Sequence, residues 1–334
     1  MKAPDGPVDG LELGSVHVYS LPMTERFRRI TARQGMLLEG PVGWGDFCPF
    51  PEYGDFVSVP WLATALEAAT VGWPEPVRDR IPINVTVPAV PPERAHAIVA
   101  SSDCRTAKVK VADHPDSLTE DLARVEAVRD ALGPDGALRI DVNAVWDVDT
   151  ARRWIPLLDR AAGGLEYVEQ PCRTLEELAE VRRSVEVRIA ADESIRQAED
   201  PLKVAVSGAA DIAVIKCSPL GGVRAALRVA QACGLPCVVS SALETSVGLS
   251  AQLALAGALP ELQFACGLGT ARLLSSDVVV PEERLLPRGG FLPVPRRAPV
   301  PDPGLLSEHT PPDAELVAWW HSRLQRVCSL LRVG

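Results

Sequence analysis

The chain has 334 residues, of which 47% are hydrophobic and 23% are charged, and its formal net charge is −10. This composition is that of a globular protein with enough chain to bury the core of one large domain or two. The acidic balance argues against an extended surface for nucleic acid or for anionic membranes.

The N-terminal part predicts a small α+β domain. Its first residues, MKAPDGPVDG, lack the apolar region of a signal peptide, and no later run approaches the roughly 18 apolar residues of a membrane span, so we expect a cytoplasmic protein. Alternating apolar residues at 11–23 and 29–47 predict an antiparallel hairpin, with the charged stretch from Thr24 to Arg29 as a mobile loop. WLATALEAATVGW, at 61–73, has the spacing of a helix.

A regular alternation of strand and helix patterns begins at about Ile81. The predicted strands are 83–87, 107–111, 138–142, 165–169, 187–192, 212–216, 237–241 and 264–268. Helical patterns fill most of the gaps, which is typical of an α/β protein with a TIM-type (β/α)7β barrel. A doubly wound open sheet is the alternative, and it is disfavoured because no glycine-rich phosphate loop follows the first strand.

The alternation stops after about Leu286. PRGGFLPVPRRAPVPDPG is a proline-rich connector that we expect to run back over the first domain, and ELVAWWHSRLQRVCSLL predicts a terminal amphipathic helix. We therefore predict an N-terminal α+β capping domain at 1–80, a catalytic barrel at 81–285, and a C-terminal segment at 286–334 that packs back on both.

Cysteine and lysine usage each narrow the function. The closest pair among the eight cysteines, in CGLPC, lacks the two-residue spacing of zinc knuckles and thioredoxin-like sites, so we expect reduced, buried thiols. Of 34 basic residues only five are lysine, and the other 29 are arginine. A lysine inside a strand is therefore informative, because a buried ammonium can lose its proton near neutral pH and a guanidinium effectively cannot.

Charged side chains follow five consecutive predicted barrel strands. Lys108 and Lys110, in TAKVKVAD, lie two residues apart and so point to the same face of their strand. The next strand ends carry Asp141 with Asn143 two residues on, Glu169, Asp192 and Lys216. In a barrel these ends meet at one mouth, where active sites are built.

The chemistry of these side chains predicts a metal site between two lysines. Three neighbouring carboxylates would repel one another, and a divalent cation removes that repulsion. Oxygen ligands without Cys or His favour a hard metal, Mg²⁺ first and Mn²⁺ second. The lysines would flank the metal and offer a base on one face and a cation on the other. Each residue alone has an ordinary interpretation, such as a helix N-cap for Asp141, but five together favour a site.

The motifs K-x-K, D-x-N, E-Q-P, D-E-S and I-K-x-S-x-x-G-G, behind a cap containing GWGDFCPFP, resemble the enolase superfamily over nearly the whole chain. The match is to its muconate-lactonising-like branch, which uses two opposed lysines. No His near the last three strands could serve as a mandelate-racemase-like base, and CGLGT lacks the D-x-D of dipeptide epimerases. The resemblance departs at Asp46, where the cap motif usually has Glu.

VVSSALETSVG and the short cap resemble the o-succinylbenzoate synthases of menaquinone biosynthesis. That resemblance implies a metal-dependent carbon–oxygen lyase that dehydrates a small carboxylate, 2-succinyl-6-hydroxy-2,4-cyclohexadiene-1-carboxylate, to 2-succinylbenzoate. Lys110 would be the base and Lys216 the cation on the opposite face, and the charge of Lys108 would lower the pKa of Lys110. The aromatic product would supply the driving force.

The same resemblance implies the remaining site residues. The metal ligands would be Asp141, Glu169 and Asp192, and the substrate contacts would be Asn143, Ser240, Ser241 and Gly267. N-succinylamino-acid racemase and muconate cycloisomerase remain alternatives because they share the proton-abstraction step, and a non-catalytic barrel is a distant one. No nucleic-acid or membrane partner is expected, and the oligomeric state is open, with a monomer slightly favoured.

Overall fold

A computed structural model describes residues 13–27, 30–196 and 208–331 of the chain, and elements are numbered along those residues. The strands are β1 (Val16–Phe27), β2 (Ile30–Glu39), β3 (Trp44–Phe47), β4 (Arg80–Pro82), β5 (Val85–Val87), β6 (Thr106–Lys110), β7 (Ala137–Asp141), β8 (Tyr167–Glu169), β9 (Ile189–Ala191), β10 (Ile212–Ile215), β11 (Cys237–Val239) and β12 (Phe291–Pro293). The helices are α1 (Asp55–Leu66), α2 (Pro92–Ala100), α3 (Leu118–Leu132), α4 (Val148–Ala161), α5 (Leu175–Arg182), α6 (Glu193–Arg196), α7 (Cys217–Leu220), α8 (Val223–Cys233), α9 (Ser246–Ala258), α10 (Pro303–His309) and α11 (Ala314–Leu331).

The cap is a three-stranded antiparallel sheet in the order β1-β2-β3, with α1 packed on it. The predicted second strand divides into β2 and β3. The prediction of a loop from Thr24 is wrong for residues 24–27, because β1 continues to Phe27. The Thr24 hydroxyl donates to the carbonyls of Arg272 and Leu273, each at 3.3 Å, and this distant contact fixes a stretch whose charge pattern predicts a loop. Residues 28 and 29 lie outside the described residues.

The helix predicted from Trp61 begins earlier, at Asp55, and widens into a π-helical turn at Glu67–Val71. The terminal helix predicted from Glu315 is confirmed as α11, which packs on α1. Trp320 of α11 is fully buried against Phe47 of the cap sheet, with the two rings edge to face at 6.2 Å. The C-terminal helix thus completes the cap.

The barrel forms from seven parallel strands, among the described residues, in the order β11-β10-β9-β8-β7-β6-β5. The predicted eighth strand at 264–268 is reduced to two isolated bridges, Ile83 to Cys266 and Ser240 to Gly267. These bridges join the region before β5 to the end of β11 and so close the curled sheet. The predicted TIM-type fold is confirmed. Helices follow the barrel strands in the alternating order that the sequence pattern predicts.

Two large clusters of buried apolar side chains form the core of the described residues. One surrounds the barrel strands, from Ile81 to Leu292, and the other fills the cap, from Val18 to Cys328. The cap cluster also takes in Leu243 from the loop after β11, so the two clusters meet above the barrel. The predicted division of the chain at residues 80 and 285 stays a prediction.

The connector after the barrel returns to earlier parts of the chain. β12 pairs antiparallel with β4, with Leu292 opposite Ile81, and α10 contacts β1. All eight cysteines are buried and free, as the sequence predicts. Over the part of the chain that the structure describes, no helix combines the length and apolarity needed to cross a membrane.

Candidate active site

The pairing of the barrel strands places charged side chains in one row. Lys110 of β6 lies opposite Asp141 of β7, and Asp141 lies opposite Glu169 of β8. Partners in a parallel ladder share a face, so all three point into the barrel. Asp192 and Lys216 come directly after β9 and β10. Asp141 is therefore not a helix N-cap.

Each lysine reaches a carboxylate. The Lys108 ammonium donates to both oxygens of Glu169, at 2.9 and 3.1 Å, and lies 3.1 Å from Oδ2 of Asp141. The Lys110 ammonium donates to Oδ2 of Asp141 and, at 2.6 Å, to Oδ1 of Asn143. On the other side of the mouth the Lys216 ammonium donates to Oδ2 of Asp192 at 2.5 Å.

The environment separates the two lysines of β6. Burial lowers the pKa of Lys110, Asp141 opposes this, and the charge of Lys108 lowers the pKa of Lys110 further. Burial also acts against the charge of Lys108, but Glu169 and Asp141 outweigh it and raise the Lys108 pKa well above its usual value. Two like side chains on one strand face therefore differ, with Lys110 the easier one to convert to a neutral amine.

The carboxylates also differ from one another. Burial acts to raise the pKa of Asp141, but the ammonium groups of Lys110 and Lys108 outweigh it, and the net pKa is lowered. Burial and the negative charge of Asp141 raise the pKa of Glu169 to about 7, and Lys108 opposes that rise. Of these two carboxylates, Glu169 is therefore the one that would gain more from a further cation.

The donor set has the chemistry of a hard-metal site. Asp141, Glu169 and Asp192 are buried, come from consecutive strands and offer oxygen atoms only. Within the described ranges, no three His, Cys, Asp or Glu side chains are gathered closely enough to hold a metal ion. The ammonium group of Lys108 instead joins Asp141 to Glu169. The residues fit a divalent cation by type and strand position, with the carboxylates in lysine-paired conformations.

A cavity of about 30 Å³ lies at this mouth. Predicted residues on its wall are Lys108, Lys110, Asp141, Asn143, Asp192, Lys216, Ser240, Ser241 and Gly267. Glu169 is the exception, since it lies beneath them in contact with Lys108. A wider cavity of about 350 Å³ adjoins the first and shares Phe27, Lys110, Asn143 and Glu193 with it.

Several residues of the cavity wall were not predicted from the sequence. Phe27 places its ring 5.5 Å from the Lys110 ammonium, within the range of a cation–π contact. Thr86 lies opposite Lys108 in the β5–β6 ladder, and Thr270 contacts the Ser241 hydroxyl at 2.5 Å. The alternation of β5 could have identified Thr86, because it is the polar residue of VTV. Nothing in the charged stretch around Phe27 indicates this contact.

Comparison with known proteins identifies the family of the chain. A family model described as "Enolase C-terminal domain-like" matches residues 92–305, and one described as "Enolase N-terminal domain-like" matches residues 18–69. An o-succinylbenzoate synthase from Thermobifida fusca is 60% identical over 306 residues, which cover 92% of this chain and 93% of the relative. One from Mycobacterium marinum is 50% identical over 322 residues, or 96% of this chain and 95% of the relative.

Solved structures agree on the fold. A muconate lactonizing enzyme from Pseudomonas fluorescens, complexed with muconolactone, superposes with a TM-score of 0.77 at 22% identity over 90% of this chain and 100% of that one. An L-Ala-D/L-Glu epimerase from Bacillus subtilis gives 0.73 at 22% identity over 87% of this chain and 98% of that one. At this identity the structural likeness establishes the architecture alone.

Proposed function

The chain belongs to the o-succinylbenzoate synthase family of the enolase superfamily, and from this premise we propose that it dehydrates 2-succinyl-6-hydroxy-2,4-cyclohexadiene-1-carboxylate to 2-succinylbenzoate in menaquinone biosynthesis. One observation carries the proposal: Lys110 and Lys216 enter a single cavity from distant strands of the barrel, with carboxylates beside each. We also propose a cytoplasmic location for this enzyme.

Lys110 is the base. Its neutral amine takes the proton from C1, the carbon that bears the substrate carboxylate, and the C–H electron pair moves toward that carboxylate. The pair then returns to form the C1–C6 double bond as the C6–oxygen bond breaks. The Lys110 ammonium gives its proton to the departing hydroxide, so water leaves from the same face and Lys110 is neutral again. The product ring is aromatic.

Lys216 and Lys108 supply fixed positive charge. Lys216, on the other face, offsets the negative charge that builds on the substrate carboxylate when the C1 proton leaves. Lys108 keeps its proton, as its raised pKa supports, and its charge favours the neutral form of Lys110. It also holds Asp141 and Glu169 in place.

Asp141, Glu169 and Asp192 would hold a divalent cation, for which we propose Mg²⁺ with Mn²⁺ as the alternative, and this ion would polarise the substrate carboxylate when bound. Relatives of this superfamily are metal-dependent, and the oxygen-only ligand set favours these ions over zinc. The raised pKa of Glu169 supports the assignment, because a buried acid with a neighbouring negative charge gains from a cation.

Substrate contacts come from residues on the cavity wall. Asn143 accepts a hydrogen bond from Lys110 and so links the base to the substrate side of the mouth. The hydroxyl groups of Ser240 and Ser241 receive the succinyl tail, because the backbone N–H groups of both residues already donate to the carbonyls of Ile215 and Gly267. Gly267 keeps this side open, since a Cβ there would lie 2.7 Å from the Ser240 hydroxyl oxygen.

A second activity, racemisation of N-succinylamino acids, is favoured by the same pair of lysines. Such a reaction removes the α-proton on one face and returns a proton on the other, and it therefore needs Lys110 and Lys216 as proton carriers. Dehydration needs Lys216 only as a cation. The two reactions thus make different demands on Lys216.

The test is direct turnover. Purified protein with Mg²⁺ is mixed with the cyclohexadiene substrate, the loss of its ultraviolet absorbance is followed, and 2-succinylbenzoate is identified by mass. A parallel sample in D₂O receives an N-succinylamino acid, and deuterium at its α-carbon is measured by NMR. Rapid dehydration supports the proposal; deuterium exchange without dehydration would assign the protein to the racemase activity instead.

A further inference from the structure

A loop that lines the active site is held from the cap. Residues 242–245 form the second part of the connection from β11 to α9, and Ala242 and Leu243 lie on the wall of the cavity beside Ser240 and Ser241. Leu243 has a φ of 65°, a left-handed conformation that a branched side chain adopts only when its surroundings hold it there. The shape of this side of the cavity therefore depends on whatever fixes residues 242–245.

Arg33 of β2 binds the carbonyl side of this loop. Its guanidinium is fully buried and donates to the carbonyl of Leu243 at 3.0 Å and to that of Ala242 at 3.1 Å. It also donates to the carbonyls of Gln34, at 3.2 Å, and Cys48 within the cap. A guanidinium has five N–H groups in a fixed plane, so it joins two backbone segments rigidly and keeps its charge at any physiological pH.

Asp46 of β3 binds the amide side of the same loop. Its Oδ2 accepts from the backbone N–H of Thr245 at 3.1 Å and from the Thr245 hydroxyl at 2.9 Å, while Oδ1 accepts from the Tyr19 hydroxyl at 2.9 Å. Thr245 is the N-cap of α9. Cap residues therefore hydrogen-bond to both ends of the loop. Arg33 binds its carbonyl groups, and Asp46 binds an N–H and an O–H group.

The barrel contributes a third contact. Glu244, buried within the loop, accepts from the backbone N–H of Ala242 at 2.8 Å and from the Ser218 hydroxyl at 2.9 Å. This contact ties the loop to the segment that follows Lys216. Without Arg33 and Asp46 the loop would keep this attachment to the barrel but lose these hydrogen bonds to the cap.

We infer that Arg33 and Asp46 are positioning residues, which set the 242–245 loop so that the cavity accepts the non-reacting acyl tail of the substrate. The inference rests on the proposed function for the identity of that tail. It assigns no role to either residue in proton transfer, because neither lines the cavity and both act through the 242–245 loop. Their loss should therefore weaken substrate binding more than it slows the chemical step.

The experiment compares Arg33→Met, Arg33→Lys and Asp46→Ala with the wild type. We expect Arg33→Met to raise KM about tenfold or more and to lower kcat less than threefold. Arg33→Lys, which can still donate to the loop carbonyls, should recover part of the KM. A purely structural role would lower kcat through loss of active protein and leave KM unchanged, and that result would overturn the inference.

Arg78→Met is the matched control. Arg78 donates to the carbonyls of Ala256 and Leu259, both at 2.6 Å, at the opposite end of α9. This variant removes the same kind of arginine–carbonyl contact from the same helix but far from the cavity. Its KM should stay within twofold of the wild-type value, and a KM shift equal to that of Arg33→Met would contradict the inference.

A measurement without substrate separates this inference from the proposed function. Backbone hydrogen exchange in peptides that cover residues 240–249 should be about tenfold faster in Arg33→Met and Asp46→Ala, and faster by a smaller factor in Arg33→Lys, than in the wild type and in Arg78→Met. Unchanged exchange would overturn the positioning role even if the enzyme turned over normally. Faster exchange in these variants, together with a wild type that does not dehydrate the cyclohexadiene, would retain the positioning role and refute the proposed function alone. If Arg33→Met does not fold, the Arg33→Lys and Asp46→Ala data decide.

Discussion

The barrel mouth and the cap bury positive charge in different ways. At the mouth, Lys108, Lys110 and Lys216 contact carboxylates. In the cap, Arg33 and Arg323 contact backbone carbonyls, at distances such as 3.0 Å to Leu243 and 3.1 Å to Phe50. Both arrangements give buried ammonium or guanidinium groups hydrogen-bond acceptors, but the two kinds of acceptor allow different chemistry.

The contrast explains why a chain so rich in arginine retains a few lysines. An arginine bound to carbonyls keeps a constant charge and fixes two segments of backbone. An ammonium among carboxylates can exchange both its partner and its proton, because each group changes the pKa of the next. Changes at the mouth should therefore abolish the chemistry, whereas changes in the cap should alter substrate binding or stability.

Metal removal should have the largest effect on this comparison. Because Asp141, Glu169 and Asp192 would share a divalent cation, EDTA should abolish dehydration, and added Mg²⁺ should restore it. The cap has no such dependence, so the near-ultraviolet circular dichroism of its tryptophans should not change. The measurement is turnover and spectrum on the same sample, and full activity in chelator would remove the metal from the account.

Replacement of Lys216 should have the next largest effect. Lys216→Met removes a cation from the face opposite Lys110, and we expect kcat for dehydration to fall by about 10²- to 10³-fold. Lys216→Arg keeps the charge and should lose much less of this activity. The same Arg variant should lose racemisation of N-succinylamino acids, since a guanidinium cannot carry the proton. Equal loss of dehydration in both variants would show that Lys216 does more than supply charge.

Burial of Asp46, which lies in β3 of the cap, should make the stability of the protein depend on pH. Burial raises its pKa to about 6, with Arg33 opposing, so the folded protein holds this proton more tightly than the unfolded chain does. Ionised Asp46 therefore costs stability above pH 6, and the cost disappears as the pH falls toward 4. Asp46→Asn should gain stability relative to wild type between pH 4.5 and 7.5, by up to about 3 kcal/mol.

Urea unfolding at the two pH values measures this difference. Asp55→Asn is the control with the opposite sign, because the hydrogen bond from Arg326 lowers the pKa of Asp55. The ionised Asp55 stabilises the fold at neutral pH, and this contribution is lost as the pH falls. The free energy of unfolding of Asp55→Asn should therefore fall further below that of wild type as the pH rises. Parallel curves for wild type and Asp46→Asn would mean that Asp46 ionises in the cap without cost.

Arg323 should have the smallest effect on activity and a moderate one on stability. Its guanidinium donates to the carbonyls of Phe50, at 3.1 Å, and Tyr53, at 2.5 Å, and to the Ser58 hydroxyl at 2.8 Å. Arg323→Met leaves these buried acceptors without a donor, which should cost about 2 kcal/mol in the free energy of unfolding. kcat and KM of the folded fraction should match wild type. A large loss of kcat in Arg323→Met would contradict the division between a catalytic mouth and a stabilising cap.

The barrel and its charged row were predictable because they follow from local patterns. A period of two places Lys108 and Lys110 on one face, and the alternation of strands and helices places Asp141 and Glu169 on neighbouring strands. The cavity wall at Phe27 was not predictable, because a charged stretch there forms part of a strand held by residues far along the chain. The eighth strand was overestimated, since only Cys266 and Gly267 make bridges.

The loop contacts show the limit most clearly. Arg33 and Leu243 are 210 positions apart, and neither lies in a motif that indicates the other. Their contact arises only when the cap sheet settles on the barrel, and no pattern of period or spacing encodes it. The charged residues of the mouth can thus be predicted from local sequence patterns. The shape of the cavity wall at residues 242–245 cannot, because it depends on tertiary contacts.

The most direct test of the central claim, that Lys110 takes the C1 proton, is the exchange of this lysine for arginine. With wild type and Lys110→Arg assayed side by side on the cyclohexadiene substrate, we expect kcat to fall by about 10³-fold or more. The dissociation constant for 2-succinylbenzoate and the unfolding midpoint should change little, because an arginine at this position can still pair with Asp141. A Lys110→Arg enzyme with near-normal kcat would contradict the account.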